Sequence, residues 1–600
     1  MLIVGVLSAC ADTAYNGNDY SGYVTDDSAQ HEEEQGSTNG ADRDDRNLSL
    51  AGALKGDPSE FNKKVFGDVA GYKSLAFVGK WHEGCPGTGV DIIDISQPSA
   101  PKKLSNTNYY PDTSMEDMEA IEIGGRDILA IGLQDCGKDP TPGVGKRGLE
   151  LYDVTDPSDP RYLSFFDTDT FGVDSGGVHE IHLTTTPGGD ILALGSVPDL
   201  EAKTSDSTGK SGIGDLLIWK ITDPANPKLV GEWGVLDEPA LGLNAYLDAR
   251  QGGDPRTLGH SARANADGTR VYLSYWDAGV IILDISDPSK PVYLGRTSYS
   301  SGEEGNAHSV DEAQGGDILV QADEDISPFH FESTSNAFSS KRRADEVAFE
   351  PPIDEAVGQK MEGEVVPVGR GCPAGSVTST SPEDPYLADP SGKIVLIERG
   401  GCHFAYKIAR AQLTGAKGVI LYDDSSSGSK DLIDMGGRNP VTLPNGTIID
   451  VNILAVFVQR STGLLLRDGT PPVTVSVTPI FDGWGYLRFF DIEDPADPKQ
   501  LSAFATTNTD NEALAKQSEK WWSVHNPEVR SNKVYASWYS DGVRVIDISD
   551  PSSPHEISSW AGEDIPEDAP AIDIWGVVPH GDLLLVSDRN YGLYILKHTP

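Results

Sequence analysis

The stretch from Val280 to Gly295, VIILDISDPSKPVYLG, decides the fold because the chain repeats it. An apolar run of four residues meets an aspartate, then two prolines three positions apart, then a second apolar run. The further copies are VDIIDISQPSAPKKLS (90–105), LELYDVTDPSDPRYLS (149–164), LLIWKITDPANPKLVG (216–231), YLRFFDIEDPADPKQLS (486–502) and VRVIDISDPSSPHEIS (543–558). Internal repeats of this kind indicate a repeat architecture.

Each repeat unit contains the signals of four short strands. The residues of VIILDI are apolar at both parities, which predicts a strand buried on both faces, as between stacked blades. A strand such as ILALG (191–195) or VYLSYW (271–276) precedes it, and a shorter one such as HEIHL (179–183) comes before that. A last strand, VYLG in the quoted copy, follows the turn. Four short strands per unit predict a propeller blade.

The aspartate and prolines between the last two strands predict a tight turn. Asp156, Asp287 and Asp550 can accept turn N–H groups, while the following proline fixes φ at the corner. We therefore interpret these aspartates as turn residues and not as calcium ligands.

The phrase resembles the LVIVD repeat, which is associated with β-propellers. A seventh unit, IWGVVPHGDLLLVSDRNYGLYILK (574–597), stops before any Asp-Pro turn or outer strand. The segment LSLAGAL (48–54) resembles the outer strands, so we expect it to complete this blade and close the ring. The predicted fold class is all-β, a seven-bladed β-propeller.

A long insertion interrupts blade five. Pro288 and Pro495 are 207 residues apart, whereas the other turns follow at 56 to 67 residues. The excess lies between the second and third strands of that blade. Within it, GKIVLIERGGCHFAYKIARAQLTGAKGVILYDD (392–424) predicts strand, turn, helix and strand, and NILAVFVQRSTGLLLRDG (452–469) predicts a strand that leads into a short helix.

The insertion resembles the α/β protease-associated (PA) domain. The matching residues are Lys393 to Leu396, Arg399, Gly400, Cys402, Phe404 and Lys407. The resemblance implies a disulfide between Cys372 and Cys402. It also implies a non-catalytic module for protein interaction or substrate access.

The amino terminus predicts export. MLIVGVLSAC (1–10) resembles a signal peptide with a lipobox, which would make Cys10 the lipidated residue, although no Lys or Arg precedes the apolar run. Residues 11–46 are acidic and nearly free of aliphatic side chains, which is typical of a disordered linker. We expect 47–331 and 481–600 to form the propeller and 332–480 the PA domain.

The formal net charge of −46 excludes most polyanionic partners. Phosphate binding needs a cationic surface, so a nucleic-acid partner is not expected. Membrane contact is expected only through the N-terminal lipid.

The remaining cysteines suggest disulfides, because the chain is expected to be exported. Cys85 and Cys136 fall in loops on the same face of neighbouring blades one and two. A disulfide between them would brace that face.

Four innermost strands begin with histidine, and these are the candidate metal ligands: His179, His260, His308 and His525. Glu119 occupies the comparable place in blade two and Trp575 in blade seven. Residues at one register of successive inner strands surround the central channel, where imidazoles and a carboxylate suit a transition metal. His182 is left out, because three residues along a strand reverse the side-chain direction.

Two interpretations of function remain open. The first is an exported binding or scaffold protein, at the cell surface through its lipid anchor or secreted, that recognises protein, peptide or glycan through the loop face and the PA domain. The second is a metal-dependent enzyme, an oxidoreductase or a hydrolase, that uses the channel histidines. An alternative for the histidines is that each merely bonds the backbone of the next blade. A separate alternative for the cation is calcium bound by the acidic loops.

Overall fold

A computed structural model describes residues 45–598, except 58–59, 61–62, 64, 82–88, 136–144, 174, 199, 205–211, 239–240, 242–257, 300–304, 326–327, 346–359, 377, 379, 424–439, 482 and 517–519. The predicted lipidation site Cys10, nearly all of the predicted linker and the predicted Cys85–Cys136 disulfide lie outside the described residues.

The first four blades are antiparallel sheets in chain order. They follow β1 (Leu48–Lys55), which belongs to the last blade. Blade one comprises β2 (Phe66–Tyr72), β3 (Leu75–Lys80), β4 (Asp91–Asp94) and β5 (Lys102–Asn106). Blade two comprises a short extra strand, β6 (Thr113–Ser114), then β7 (Met118–Ile123), β8 (Arg126–Asp135), β9 (Gly148–Asp153) and β10 (Arg161–Asp167). Blade three comprises β11 (Ile181–Thr185), β12 (Ile191–Ser196), the helix α1 (Leu200–Thr204), β13 (Leu216–Lys220) and β14 (Lys228–Trp233). Blade four comprises β15 (Ser261–Ala264), β16 (Arg270–Ser274), β17 (Val280–Asp284) and β18 (Val292–Arg296).

Blade five begins with β19 (Ala307–Ala313) and β20 (Ile318–Asp323), and the chain then leaves the propeller. The insertion is a closed barrel with strand order β21-β22-β28-β25-β24-β23-β29 and a separate β26-β27 hairpin. Its elements are β21 (Phe329–Ser335), β22 (Phe338–Asp345), β23 (Met361–Gly369), β24 (Ile394–Glu398), α2 (Phe404–Leu413), β25 (Gly418–Tyr422), β26 (Val441–Thr442), β27 (Ile448–Ile449), β28 (Ala455–Val458), α3 (Arg460–Asp468) and β29 (Thr474–Phe481). The predicted order of strand, helix and strand is confirmed.

The chain returns to blade five, and its two ends close the ring. The remaining elements are β30 (Leu487–Asp491), β31 (Lys499–Phe504), α4 (Glu512–Ala515), β32 (Pro527–Arg530), β33 (Lys533–Trp538), β34 (Gly542–Asp547), β35 (His555–Trp560), β36 (Ile574–His580), β37 (Leu583–Asp588) and β38 (Gly592–His598). Strand β30 pairs with β20, so the insertion lies between the second and third strands of blade five. Strand β1 pairs antiparallel with β38 as the outer strand of blade seven, as predicted. Within the described ranges, no helix has both the length and the apolar composition to cross a bilayer.

The hydrophobic core lies between successive blades. One cluster joins Leu194 and Ile218 of blade three to Leu273 and Ile281 of blade four. In the quoted phrase, Val280 to Leu283 are fully buried, which confirms that both faces of this strand are covered.

The Asp-Pro phrase forms the predicted turn. Asp287 Oδ1 accepts hydrogen bonds from the Ser289 N–H (3.1 Å) and hydroxyl (2.7 Å). Asp156 and Asp550 accept the same pair of bonds in their own blades. The serine bonds hold the pKa of Asp287 below its usual value. The interpretation of these aspartates as turn residues is confirmed.

The phrase also joins each blade to the next. In every blade, the pairing of the outer strand with its neighbour is interrupted by a bulge. Near the bulge, Ser105 Oγ donates to the Pro157 carbonyl of the next turn at 2.6 Å. Ser164 and Ser502 make the same bond to the following blades. Gly295 packs directly against the Pro495 carbonyl instead. A small residue at this position therefore allows close contact between blades.

Candidate metal centre

The four predicted histidines lie at one register of four neighbouring inner strands. His308 is in β19, and His179, His260 and His525 come just before β11, β15 and β32. The backbone N–H of each of these last three donates to a serine carbonyl on the second strand of its own blade, at 2.8–2.9 Å. Equal register places the four side chains at one level of the channel.

The imidazole rings follow one another around the channel. Ring centroids are 4.2 Å apart for His179 and His260, 3.9 Å for His260 and His308, and 4.5 Å for His308 and His525. All four residues are less than a tenth exposed. Nε2 of His179 and Nε2 of His260 are 2.7 Å apart.

Two of these histidines bond the backbone of the next blade through Nδ1. His260 Nδ1 lies 3.0 Å from the His308 carbonyl, and His525 Nδ1 lies 2.8 Å from the Trp575 carbonyl. A carbonyl accepts only, so Nδ1 carries the proton and Nε2 keeps its lone pair in the neutral ring. The backbone bonds of the alternative interpretation therefore exist for these two histidines, and they occupy Nδ1 only. Nε2 of His260 lies against Nε2 of His179, whereas Nε2 of His525 has no hydrogen-bond partner among the described residues.

Two carboxylates complete two separate groups of metal-type ligands. Each group offers two imidazole nitrogens and one carboxylate oxygen within 4.8 Å of one another. The first group is His179, Glu180 and His260. The second group is His308, Glu324 and His525. His308 Nε2 lies 3.3 Å from Glu324 Oε2. Glu324 directly follows β20, where the chain leaves for the inserted barrel.

The structure places Glu119 away from the histidine level, so this predicted ligand needs correction. Glu119 Oε1 lies 2.8 Å from His182 Nδ1 and accepts a hydrogen bond from Arg263 at 3.2 Å. The acid at the histidine level of blade two is Glu116, whose Oε2 lies 3.0 Å from His179 Nδ1. The reason is register: Glu119 lies within β7, whereas Glu116 precedes it.

The electrostatics of the two groups differ. Burial alone would lower the pKa of His179, but the Glu116 carboxylate raises it to about 9. Burial and the neighbouring imidazoles hold the pKa of His308 well below its usual value, and burial does the same for His525. Burial raises the pKa of Glu180 to about 7.

Aromatic side chains surround the histidines. Trp575 lies 4.2 Å from His525 between ring centroids, and Trp276 lies 5.2 Å from His260. The Tyr539 hydroxyl donates to Glu324, which orients that carboxylate. Two indole rings therefore pack against the histidines.

The inserted barrel contains the predicted disulfide. Cys372 and Cys402 are bonded, which confirms the pairing implied by the resemblance. Lys407 on α2 is fully buried beside it and donates to the carbonyls of Arg370, Glu398 and Gly400 at 2.6–3.1 Å. The PA-type lysine is thus a structural residue that holds the disulfide loop against α2.

Family models match two parts of the chain. The PA domain model matches residues 361–466, and the LVIVD repeat model matches 76–108, 259–298 and 534–561.

Matches to curated proteins are partial. A C5a peptidase from Streptococcus pyogenes is 39% identical over 126 residues, which are 19% of this chain and 10% of the peptidase. Leucine aminopeptidase 2 from Trichophyton rubrum is 30% identical over 149 residues, 22% of this chain and 28% of that protein. The chain thus spans a tenth of the first relative and about a quarter of the second.

The matches to solved structures have low TM-scores. The alignment with Sqt1 from Chaetomium thermophilum covers 92% of this chain and 100% of the Sqt1 chain, at 10% identity and with a TM-score of 0.42. A zinc aminopeptidase from Bacillus subtilis covers 29% of this chain and 36% of its own at 21% identity, with a TM-score of 0.18. The assignment depends instead on the strand topology and the two family models. The chain is a seven-bladed β-propeller of LVIVD repeats with a PA domain inserted in its fifth blade.

Proposed function

We propose that this protein is an exported metal-dependent enzyme whose ion is bound by His308, Glu324 and His525 in the propeller channel. One observation carries the proposal: His525 Nε2 is buried and, among the described residues, has no hydrogen-bond partner. A buried polar atom without a partner costs about 1–3 kcal/mol. A metal ion at this nitrogen would remove that cost.

The ligand set suits catalysis. Two imidazoles and one carboxylate leave open coordination positions for water or substrate, as in catalytic zinc sites and non-haem iron sites. The identity of the ion would decide between the two reaction classes. Zinc would favour a hydrolase, and iron or copper an oxidoreductase.

The surroundings of the ligands support preorganisation. The Trp575 carbonyl fixes the His525 ring through Nδ1, and Tyr539 holds Glu324. Partners of this kind orient metal ligands, and their loss weakens metal affinity. His308 Nε2 lies 3.3 Å from Glu324 Oε2, a carboxylate contact that a purely structural histidine does not need.

Export is supported by the disulfide in the PA domain. Disulfides persist in oxidising compartments and are rare in the cytosol. We propose that the protein lies outside the cytoplasm and that a lipid at Cys10 anchors it.

A second candidate function is binding, because LVIVD repeats and a PA domain fit an extracellular protein-binding or scaffold role. The packing of the PA barrel favours it. Phe329 of the barrel belongs to one hydrophobic cluster with Trp484 and Trp522 of the propeller. Glu324 starts the connection between them, so a protein, peptide or glycan bound by the PA domain would lie near the channel.

Metal analysis of the full-length protein tests the proposal. After purification without added metal, we expect mass spectrometry to find a transition metal bound by the wild-type chain. His525→Ala should lose the ion bound at this group, whereas His555→Ala, at an exposed histidine, should keep it. A metal-free wild type that also fails to bind Zn²⁺, Fe²⁺ or Cu²⁺ after dialysis would refute the metal centre and leave the binding function.

A further inference from the structure

We infer that the channel binds a second divalent transition-metal ion through His179, Glu180 and His260, an inference that rests on the function proposed above. These three residues are less than a tenth exposed, and their ligand atoms lie within 4.8 Å of one another. They share no residue with the group formed by His308, Glu324 and His525. Six ligands from blades three to six thus form two sets of the same composition.

The two sets lie side by side. The rings of His260 in one set and His308 in the other are tilted by 40° to each other, with their centroids 3.9 Å apart. The Nδ1 atom of His260 contacts the His308 carbonyl, so its Nε2 is directed toward His179 and not toward the other set. The ligand atoms therefore favour two separate ions over one ion shared by four imidazoles.

The outer contacts of this set are those of metal ligands. His179 Nδ1 lies 3.0 Å from Glu116 Oε2 and 2.9 Å from Gln134 Oε1. Glu116 is fixed in turn by the Trp575 indole N–H, which donates to its Oε1 at 2.9 Å. A carboxylate behind a ligating imidazole is the usual second partner of a metal-bound histidine.

The spacing at Nε2 suits an ion after a small movement. The Nε2 atoms of His179 and His260 are 2.7 Å apart. Two nitrogens on one tetrahedral zinc ion are separated by about 3.3 Å, because each Zn–N bond is about 2.0–2.1 Å. A shift of about half an ångström is within the reach of side-chain rotation.

Acidic side chains lie around the histidines of both sets. The guanidinium group of Arg589 is already paired with Asp573. The guanidinium group of Arg263 is already paired with Glu119 and Glu528. The acids at or next to the histidine level are Glu116, Glu180 and Glu324, which are buried, and Asp68 and Asp117, which are half-buried. A cation bound among these acids would offset the negative charge of those that are ionised.

The test is the metal stoichiometry of the full chain and of matched variants. Protein stripped with a chelator is titrated with Co²⁺, whose visible absorption reports ligand type, and the bound metal is counted by mass spectrometry. We expect two ions for the wild type and one for Glu180→Gln, which keeps the side-chain size. His525→Ala should also keep one ion, the combined variant none and His555→Ala two.

Circular dichroism melting identifies any variant that fails to fold, and His179→Ala then serves as the second variant at this set. One ion in the wild type that is lost in His525→Ala but kept in Glu180→Gln and His179→Ala would overturn the second site and leave the proposed function. One ion lost in variants of either set would indicate a single shared ion and also overturn it. No ion in the wild type would overturn both.

Discussion

Replacement of Gly295 by alanine tests the role of the repeated phrase between blades. A Cβ atom at Gly295 would lie 2.0 Å from the carbonyl oxygen of Pro495 and 2.9 Å from the Ala496 Cα. Both atoms are backbone, so no side-chain rotation can relieve the overlap. Blade four and blade five would have to separate locally.

The magnitude follows from that separation. Restoring an ordinary contact of at least 3.4 Å requires the two backbones to move apart by about 1.4 Å. A gap of about 0.5–1 Å already forfeits a quarter to a half of the dispersion energy between the facing atoms. Overpacking of a well-packed interior costs about 1–3 kcal/mol and occasionally more. Because the obstacle is backbone, we expect Gly295→Ala to lower the free energy of unfolding by about 3 kcal/mol.

Urea denaturation followed by tryptophan fluorescence measures the effect. Gly188→Ala is the matched control, since a Cβ there meets only Thr186 Oγ1 at 3.7 Å and should change stability by less than about 0.5 kcal/mol. Ser502→Ala, which removes one bond to the next turn, should cost about 1 kcal/mol. If Gly295→Ala were as stable as Gly188→Ala, the direct contact between blades would be refuted.

Three further predictions concern the PA domain and Glu119 of blade two. Cys402→Ser opens a loop of 30 residues and should destabilise the PA domain by about 3–4 kcal/mol, measured as faster proteolysis of that domain; unchanged proteolysis would contradict this. Lys407→Met leaves buried carbonyls without their donor and should lower the melting temperature, while the exposed Lys417→Met should not. Burial alone would raise the pKa of Glu119, but its contacts with His182 and Arg263 hold it below its usual value. It therefore stabilises the fold above its unfolded pKa, and this contribution is lost as the pH falls. Glu119→Gln should flatten the loss of stability between about pH 5 and pH 3, and an unchanged slope in acid melting curves would exclude the effect.

The blade architecture could be predicted because each blade repeats its own signals. The Asp-Pro turn marks one corner per blade, and the buried strand before it is apolar at both parities. The outer strand of blade seven could be identified far away in the sequence because LSLAGAL (48–54) resembles the outer strands of the other blades. Gly52 in β1 faces the Pro98 carbonyl as Gly295 faces that of Pro495.

The carboxylates of the candidate site were harder to predict. Glu116 and Glu119 both lie in the run MEDMEA, where acids and apolar residues do not alternate regularly enough to fix a register. Glu180 follows His179 directly, and alternation along a strand argues against two neighbours in one site. The innermost strand borders the channel, however, so both side chains reach it. Glu324 lies in the connection to the PA domain, where the repeat gives no register.

The pairing of β1 with β38 sets the order in which the ring can be completed. Leu48 leaves the ribosome early, but its partner His598 is made only after all other blades. Until then β1 is an unpaired strand, and unpaired strand edges promote aggregation. Closure also depends on pairing between two strands that are far apart in the sequence, β1 and β38, and contacts of this kind slow folding. We therefore expect this protein to need protection during synthesis, and blade seven to form only after β38 has been made.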